Sequence, residues 1–373
     1  MKNIKLLTKK EEIEIFLSAI LKSKLIAIDI EFMRRNTFFP EPCVIQISDG
    51  ENHSCIDLTL KLNFKDIFKD IFNSKKTIII HSCRQDLEIL YMILGFIPKN
   101  IFDTQFASSF LGYKYQIGYA ELMKEIFKIE IDKTEKMTNW KKRPLSENQI
   151  KYALNDVIYL KKLYDHLNKE LIKTKKISYF EEEIQNFISD IDWDPKTEKS
   201  WKRIKSINSL DYNTKNAAKV LAVWRERKAI NLNLPRNWIL TEKEVIEISK
   251  SYVLNKKIDL PKNNKILNTN KDSLEIQSEI ENISLQRKYE TPTSKKINNM
   301  DEYKKIADDL YQYYKSISLE NNISYQIVSP KKMIFSYLND RNNNSRLING
   351  WRRELVDIDK ISNITAPFFS INH

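Results

Sequence analysis

The sequence predicts an α/β domain built on a mixed sheet, followed by all-helical modules. Three observations carry this. Over residues 1–195, apolar runs of strand length first follow one another across turn residues and then alternate with helical patterns. After Asp192-Trp193-Asp194-Pro195 the strand patterns stop and helical spacing takes over. The length, 373 residues at 42% hydrophobic content, exceeds one compact core and points to two or three domains.

Residues 8–22 have the spacing of a short amphipathic helix. Leu25 to Phe32 is then an almost unbroken aliphatic run, as a buried strand requires. Arg34 to Pro40 connects it to Cys43–Ser48, which alternates like a half-buried strand and ends at the turn signal Asp49-Gly50. His53–Leu58 is the third strand of the meander. A helix near 64–72, a buried strand Thr77–His81 and a helix carrying Leu87, Leu90, Tyr91 and Leu94 complete the switch to α/β alternation. Asp103 or Thr104 caps a helix running to Leu111. Ser146-Glu147-Asn148-Gln149 has capping-box form and opens a helix predicted over 146–172, with Leu154, Val157, Leu160 and Leu163 as its apolar stripe.

Past the boundary, Val220, Leu221, Val223 and Trp224 mark a helix beside the basic Arg225, Arg227 and Lys228. Leu234 to Trp238 reads as a turn, and Thr241 to Glu244 as a second capping box. A helix over 272–286 sits within an Asn-, Lys- and Ser-rich stretch, 256–299. A last helical unit opens near Ile306 and continues through Ser329-Pro330 and Gly350 to Glu354.

Charge narrows the function classes. The formal net charge of +12 and a pI near 9.2 favour a polyanionic partner, nucleic acid ahead of a membrane surface. No run of eighteen uncharged apolar residues exists, so no bilayer-spanning helix is expected. Met1 to Lys5 leads into the acidic Glu11-Glu12-Ile13-Glu14 rather than a signal-peptide core, and Cys43, Cys55 and Cys83 lack metal or disulfide spacing. A reducing cytoplasm is the expected compartment. With five glycines and neither phosphate-loop pattern, no small-molecule cofactor is expected.

The candidate chemistry lies in acids. Asp29 and Glu31 interrupt the first buried strand two residues apart, so their side chains leave the same face. Carboxylates side by side at a buried position repel and lose hydration, which is costly unless a cation or a shared proton compensates. Asp86 falls in the first turn of the helix after Thr77–His81, where strand ends present functional groups. Tyr152 and Asp156 are four apart on a helix and share a face. Singly, each has a plain reading: a solvated strand end, an acid at a helix N-terminus, an exposed i,i+4 pair. Asp103 is accounted for as a cap and stays outside the set. If the four acids converge, they require divalent cations, and all-oxygen ligation suits Mg²⁺ or Mn²⁺ rather than zinc. Two such ions roughly 3.5–4 Å apart serve in-line hydrolysis of a phosphodiester. Tyr152 would orient the attacking water; with a phenol pKa near 10 it is a poor base.

These words, taken together, resemble a known family. Asp29-Ile30-Glu31-Phe32-Met33-Arg34, His81-Ser82-Cys83-Arg84-Gln85-Asp86-Leu87-Glu88, Asp103-Thr104-Gln105, the approach Trp140-Lys141-Lys142-Arg143-Pro144-Leu145 and Tyr152-Ala153-Leu154-Asn155-Asp156-Val157 are similar to bacterial ribonuclease D. That family is a 3′→5′ exoribonuclease group of the DEDD superfamily, with Tyr in the third motif. The resemblance extends to Leu221 to Arg227 with Leu234 to Asn237, similar to its first HRDC domain, and to Leu347 to Leu355, similar to the end of the second. It implies a ribonuclease H-like exonuclease domain over 1–195 and two small all-α HRDC-like domains over 203–290 and 300–373. It also implies Asp29, Glu31, Asp86, Tyr152 and Asp156 as catalytic residues and the four acids as ligands of two divalent cations. The implied substrate is RNA, with tRNA precursors foremost, trimmed by a monomer to 5′-mononucleotides. Two rivals stand beside this: a DNA-directed 3′→5′ exonuclease using the same carboxylates, and a non-catalytic RNA-binding scaffold, against which the intact acids argue. Trp224, Trp238 and Trp351 would either stack on bases or, the commoner outcome, lie buried.

Overall fold

The computed structural model describes residues 6–132, 134–135, 138–286, 300–340 and 344–371. Two compact units emerge: Met1–Phe32, Pro42–Ile191 and Lys295–His373 form the first, and Met33–Glu41 with Asp192–Ser294 the second.

The first unit holds a six-stranded sheet. Its strands are β1 (Leu6–Leu7), β2 (Leu25–Met33), β3 (Glu41–Ser48), β4 (His53–Asp57), β5 (Thr77–Ile80) and β6 (Asn100–Asp103), in the order β1-β4-β3-β2-β5-β6. β3 and β4 pair antiparallel, whereas β5 lies parallel to both β2 and β6. The sheet is therefore mixed, as expected. β1, too short to show in the hydrophobic pattern, adds a parallel edge beside β4.

Helices α1 (Lys10–Ile20), α2 (Phe64–Phe72), α3 (Arg84–Leu94), α4 (Thr104–Ser109), α5 (Tyr119–Phe127), α6 (Glu147–Ile158), α7 (Leu160–Lys173) and α8 (Ile177–Ser189) accompany the sheet. Asp103 caps α4, accepting from the Gln105 and Phe106 amides, and both halves of the Ser146/Gln149 capping box are made. The one long helix expected over 146–172 is broken at Tyr159. In a continuous helix the Asn155 carbonyl would accept from the Tyr159 amide. Here that carbonyl accepts from the Tyr119 hydroxyl, 3.2 Å away, and Tyr159 turns out of helical register at φ −97°, ψ −4°. The predicted apolar stripe is nonetheless buried throughout.

The C-terminal helices α13 (Met300–Glu320), α14 (Tyr325–Val328), α15 (Lys331–Asp340) and α16 (Ile358–Ile371) belong to this same unit, along with a 3₁₀ turn at Gly350–Glu354. Buried Arg352 forks onto Glu183 of α8 at 2.7 and 2.9 Å, and the Trp351 indole donates to the same carboxylate at 2.8 Å. Lys176, before α8, donates to the Phe110 and Asn322 carbonyls, 3.0 Å each.

The second unit is built on α9 (Tyr212–Leu232), α10 (Arg236–Ile239), α11 (Glu242–Asn255) and α12 (Thr269–Gln286). Its core includes Leu221, Trp224, Val245 and Ile280, with Phe38 of the β2–β3 connection buried among them. The amides of Phe38 and Phe39 both donate to the Asn233 side chain at 3.1 Å. Leu234 to Trp238, read as a turn, contains the start of α10. The Thr241 capping box is formed. Trp224 and Trp351 are buried, while Trp238 is 44% exposed.

Candidate active site

β2 supplies Asp29 and Glu31. Its alternation puts Ala27, Asp29 and Glu31 on one sheet face and leaves Ile26, Ile28 and Ile30 to pack the other. α6 carries Asp156 over that face and packs against β4. Carboxylate oxygens of Asp29, Glu31 and Asp156 all lie within 4.8 Å of one another. Two acids from a strand and one from a helix thus converge from positions more than a hundred residues apart.

Asp86, in the first turn of α3, is 6% exposed and falls outside that trio. It is still part of the same electrostatic site. Burial, then the charges of Asp29, Asp103 and Glu31, push its carboxyl well above the usual range, opposed by a hydrogen bond from the Ile30 amide. Burial likewise pushes Asp29 up, to about 6. Both shifts have one meaning: these carboxylates are desolvated, and the neighbours that add to the effect on Asp86 carry the same sign.

Tyr152 is half-buried one turn before Asp156, with its ring 6.1 Å from that of buried Trp140. Burial, Asp156, Glu31 and Asp29 raise its phenol further above its ordinary value, so it is protonated at neutral pH. Asp103 is a structural residue: besides capping α4 it accepts from the Ser82 and Cys83 amides at 3.1 and 2.8 Å, fixing the turn into α3.

Three supporting residues were missed in the sequence. Tyr119, on α5, is half-buried beside the site: burial of its hydroxyl, then Asp156 and Asp29, push its phenol up. Its ring packs 5.5 Å from that of His81, which is held by Thr104 Oγ1 at 2.9 Å and the Ile117 carbonyl at 3.1 Å. Arg143, in the loop before α6, bonds Asp57 of β4 at 2.6 and 2.5 Å and the Cys43 carbonyl at 2.9 Å. It ties the entrance of α6 to the sheet. The only signal for Arg143 was its place in the basic approach word, and Tyr119 gave none, because its partner is a backbone carbonyl.

Comparison with known proteins agrees with this geometry. The family described as 3′-5′ exonuclease matches residues 4–172. Ribonuclease D of Bartonella henselae is 32% identical over 371 residues, covering 94% of this chain and 88% of that protein. Ribonuclease D of Zymomonas mobilis is 28% identical, covering 98% and 95%. The fold matches the crystal structure of Escherichia coli RNase D with a TM-score of 0.85 at 24% identity, covering 98% of this chain and 99% of that one.

Proposed function

The chain belongs to the ribonuclease D family, and from that premise we propose that its carboxylate cluster hydrolyses RNA from the 3′ end, releasing 5′-mononucleotides. The observation that carries this is the convergence of Asp29, Glu31 and Asp156 within 4.8 Å, with burial pushing the Asp29 carboxyl up. The donor set fits divalent cations. It is all carboxylate oxygen, which suits Mg²⁺ or Mn²⁺. We assign Asp29, Glu31, Asp86 and Asp156 to hold two such ions, which when bound supply charge neutralisation and Lewis acidity at the scissile phosphodiester.

The remaining work falls to the chain's own groups. Tyr152, protonated and mounted one helical turn from Asp156, orients the attacking water through its hydroxyl. Arg143 and Tyr119 keep α6 in place so that Asp156 meets the strand acids. The net charge of +12 attracts the RNA backbone without reading sequence. We further assign an exonuclease domain over 1–195 and HRDC-like modules over 203–290 and 300–373. Precursor tRNA is the proposed substrate, a monomer the proposed working form and the cytoplasm its compartment.

A 3′-labelled RNA oligonucleotide and its DNA counterpart, each with Mg²⁺ or EDTA, test the reading. Mononucleotides should accumulate from the RNA with Mg²⁺ and vanish with EDTA. Equal rates on DNA would favour the DNA-directed rival, and intact RNA with Mg²⁺ would leave only a binding scaffold.

A further inference from the structure

Among the described residues, the carboxamide of Gln46, on β3, is buried with both of its polar atoms, Nε2 and Oε1, unpartnered. The residue is 0% exposed. Leaving a carboxamide buried and unpaired is costly, and an apolar side chain of similar size would avoid that cost.

Its position is informative. Gln46 lies directly opposite Cys55 in the antiparallel β3–β4 pair, so the two side chains share a sheet face. β3 separates β4 from β2 in the sheet. The Cys55 thiol is pushed up by burial and then by Asp29 and Glu31, so the field of the β2 acids reaches across the strand that carries Gln46. Asp57, on the same face of β4 as Cys55, is bonded by Arg143 in the loop before α6, and α6 packs against β4. The unpaired carboxamide therefore lies on the strand next to the one that carries Asp29 and Glu31, too deep to meet substrate.

We propose that Gln46 is a positioning residue for the Asp29–Glu31 pair, its amide N–H donating to these carboxylates once the cluster is ionised and loaded with cations. The inference rests on the cluster being a divalent-cation site. A neutral donor suits the task. A lysine or arginine there would neutralise the acids and compete with the cation, whereas a carboxamide fixes a carboxylate oxygen without adding charge.

Calorimetric titration of Mn²⁺ into the wild-type protein, Gln46→Leu, Gln46→Met and Asp156→Asn tests it, with melting temperatures recorded in EDTA. The leucine and methionine variants should melt at or above the wild-type temperature, because an unpaired amide has gone. Their Mn²⁺ dissociation constants should nonetheless rise about tenfold or more, the usual cost of losing an outer-shell partner. A space-filling role would not move that constant. Wild-type Mn²⁺ affinity in whichever of the two variants folds overturns the assignment, provided Asp156→Asn binds weakly. If Asp156→Asn binds like wild type, or the wild-type protein binds no Mn²⁺, the cation-site reading fails and takes this inference with it.

Discussion

The helical unit and the β2 acid cluster of the sheet unit treat carboxylates in opposite ways. In the helical unit, Glu226 is 1% exposed and receives Arg203 at 2.6 Å and Arg236 at 2.7 Å. Burial alone would raise its carboxyl, but the hydrogen bonds and charges of Arg236 and Arg203 outweigh that and hold it below the usual range. In the sheet unit, Asp29 and Asp86 are raised, and the charges acting on Asp86 after burial are those of other acids. Elsewhere in that unit the Glu226 solution recurs, with Arg143 on Asp57 and Arg352 on Glu183. The fold supplies guanidinium groups where a buried acid serves structure. At Asp29 and Asp86 burial prevails instead and the carboxyls are raised, and that contrast marks the site.

The contrast breaks hardest at the acids themselves. Asp156→Asn should reduce turnover by more than the ~100-fold typical of losing an outer-shell partner, with RNA affinity nearly unchanged. Single-turnover decay of labelled RNA alongside a binding titration measures both, and turnover like that of wild type would remove Asp156 from the proposed role. Glu226→Gln is the converse. It should leave the rate per folded molecule intact while costing about 2 kcal/mol of stability. That lies below the ~3–5 kcal/mol of a fully buried pair because Arg203 and Arg236 are partly exposed. Urea denaturation reads the stability change.

Titration sharpens the same comparison. Asp29 has a folded-state pKa of about 6 against an ordinary value of 3.8. A raised acid contributes stability that is fully present below the unfolded value and is lost as pH rises through the folded one. Cation-free protein should therefore lose this contribution between about pH 4 and pH 6. Mn²⁺ should raise the melting temperature more at pH 7 than at pH 4.5, and Asp29→Asn should shrink that difference. A shift independent of pH would count against uncompensated charge at Asp29.

Much of this was legible before any coordinates. The D-x-E alternation on β2, the strand-to-helix position of Asp86 and the i,i+4 spacing of Tyr152 and Asp156 are local patterns, and local periodicity survives in sequence. The capping boxes at Ser146 and Thr241 and the Asp103 cap were readable for the same reason. What escaped was non-local. The break at Tyr159 coincides with a contact to a hydroxyl forty residues upstream, and the Arg143–Asp57 pair spans 86 positions. Nor could the pattern show Phe38, within an apparent connection, as part of the helical unit's core.

The smallest effects separate two phenols. Tyr152→Phe removes a hydroxyl proposed to touch the attacking water, so kcat should fall about tenfold with KM little changed, as for an interaction made only in the transition state. Tyr119→Phe removes a hydroxyl whose partner is the Asn155 carbonyl at 3.2 Å, one residue before Asp156. The ring remains against His81. Loss of one neutral hydrogen bond costs about 1 kcal/mol, and it removes the hydroxyl oxygen that the Tyr159 amide meets, so that this amide can return to the Asn155 carbonyl. The α6–α7 junction should then straighten toward the continuous helix its sequence favours, drawing Asp156 away from Asp29 and Glu31. The expected signature is a modest loss of stability with a threefold or so weakening of Mn²⁺ binding, on the order of 0.6 kcal/mol. Unaltered Mn²⁺ binding in a destabilised Tyr119→Phe would show that the break at Tyr159 is held by other contacts, and that Asp156 reaches the β2 acids without it.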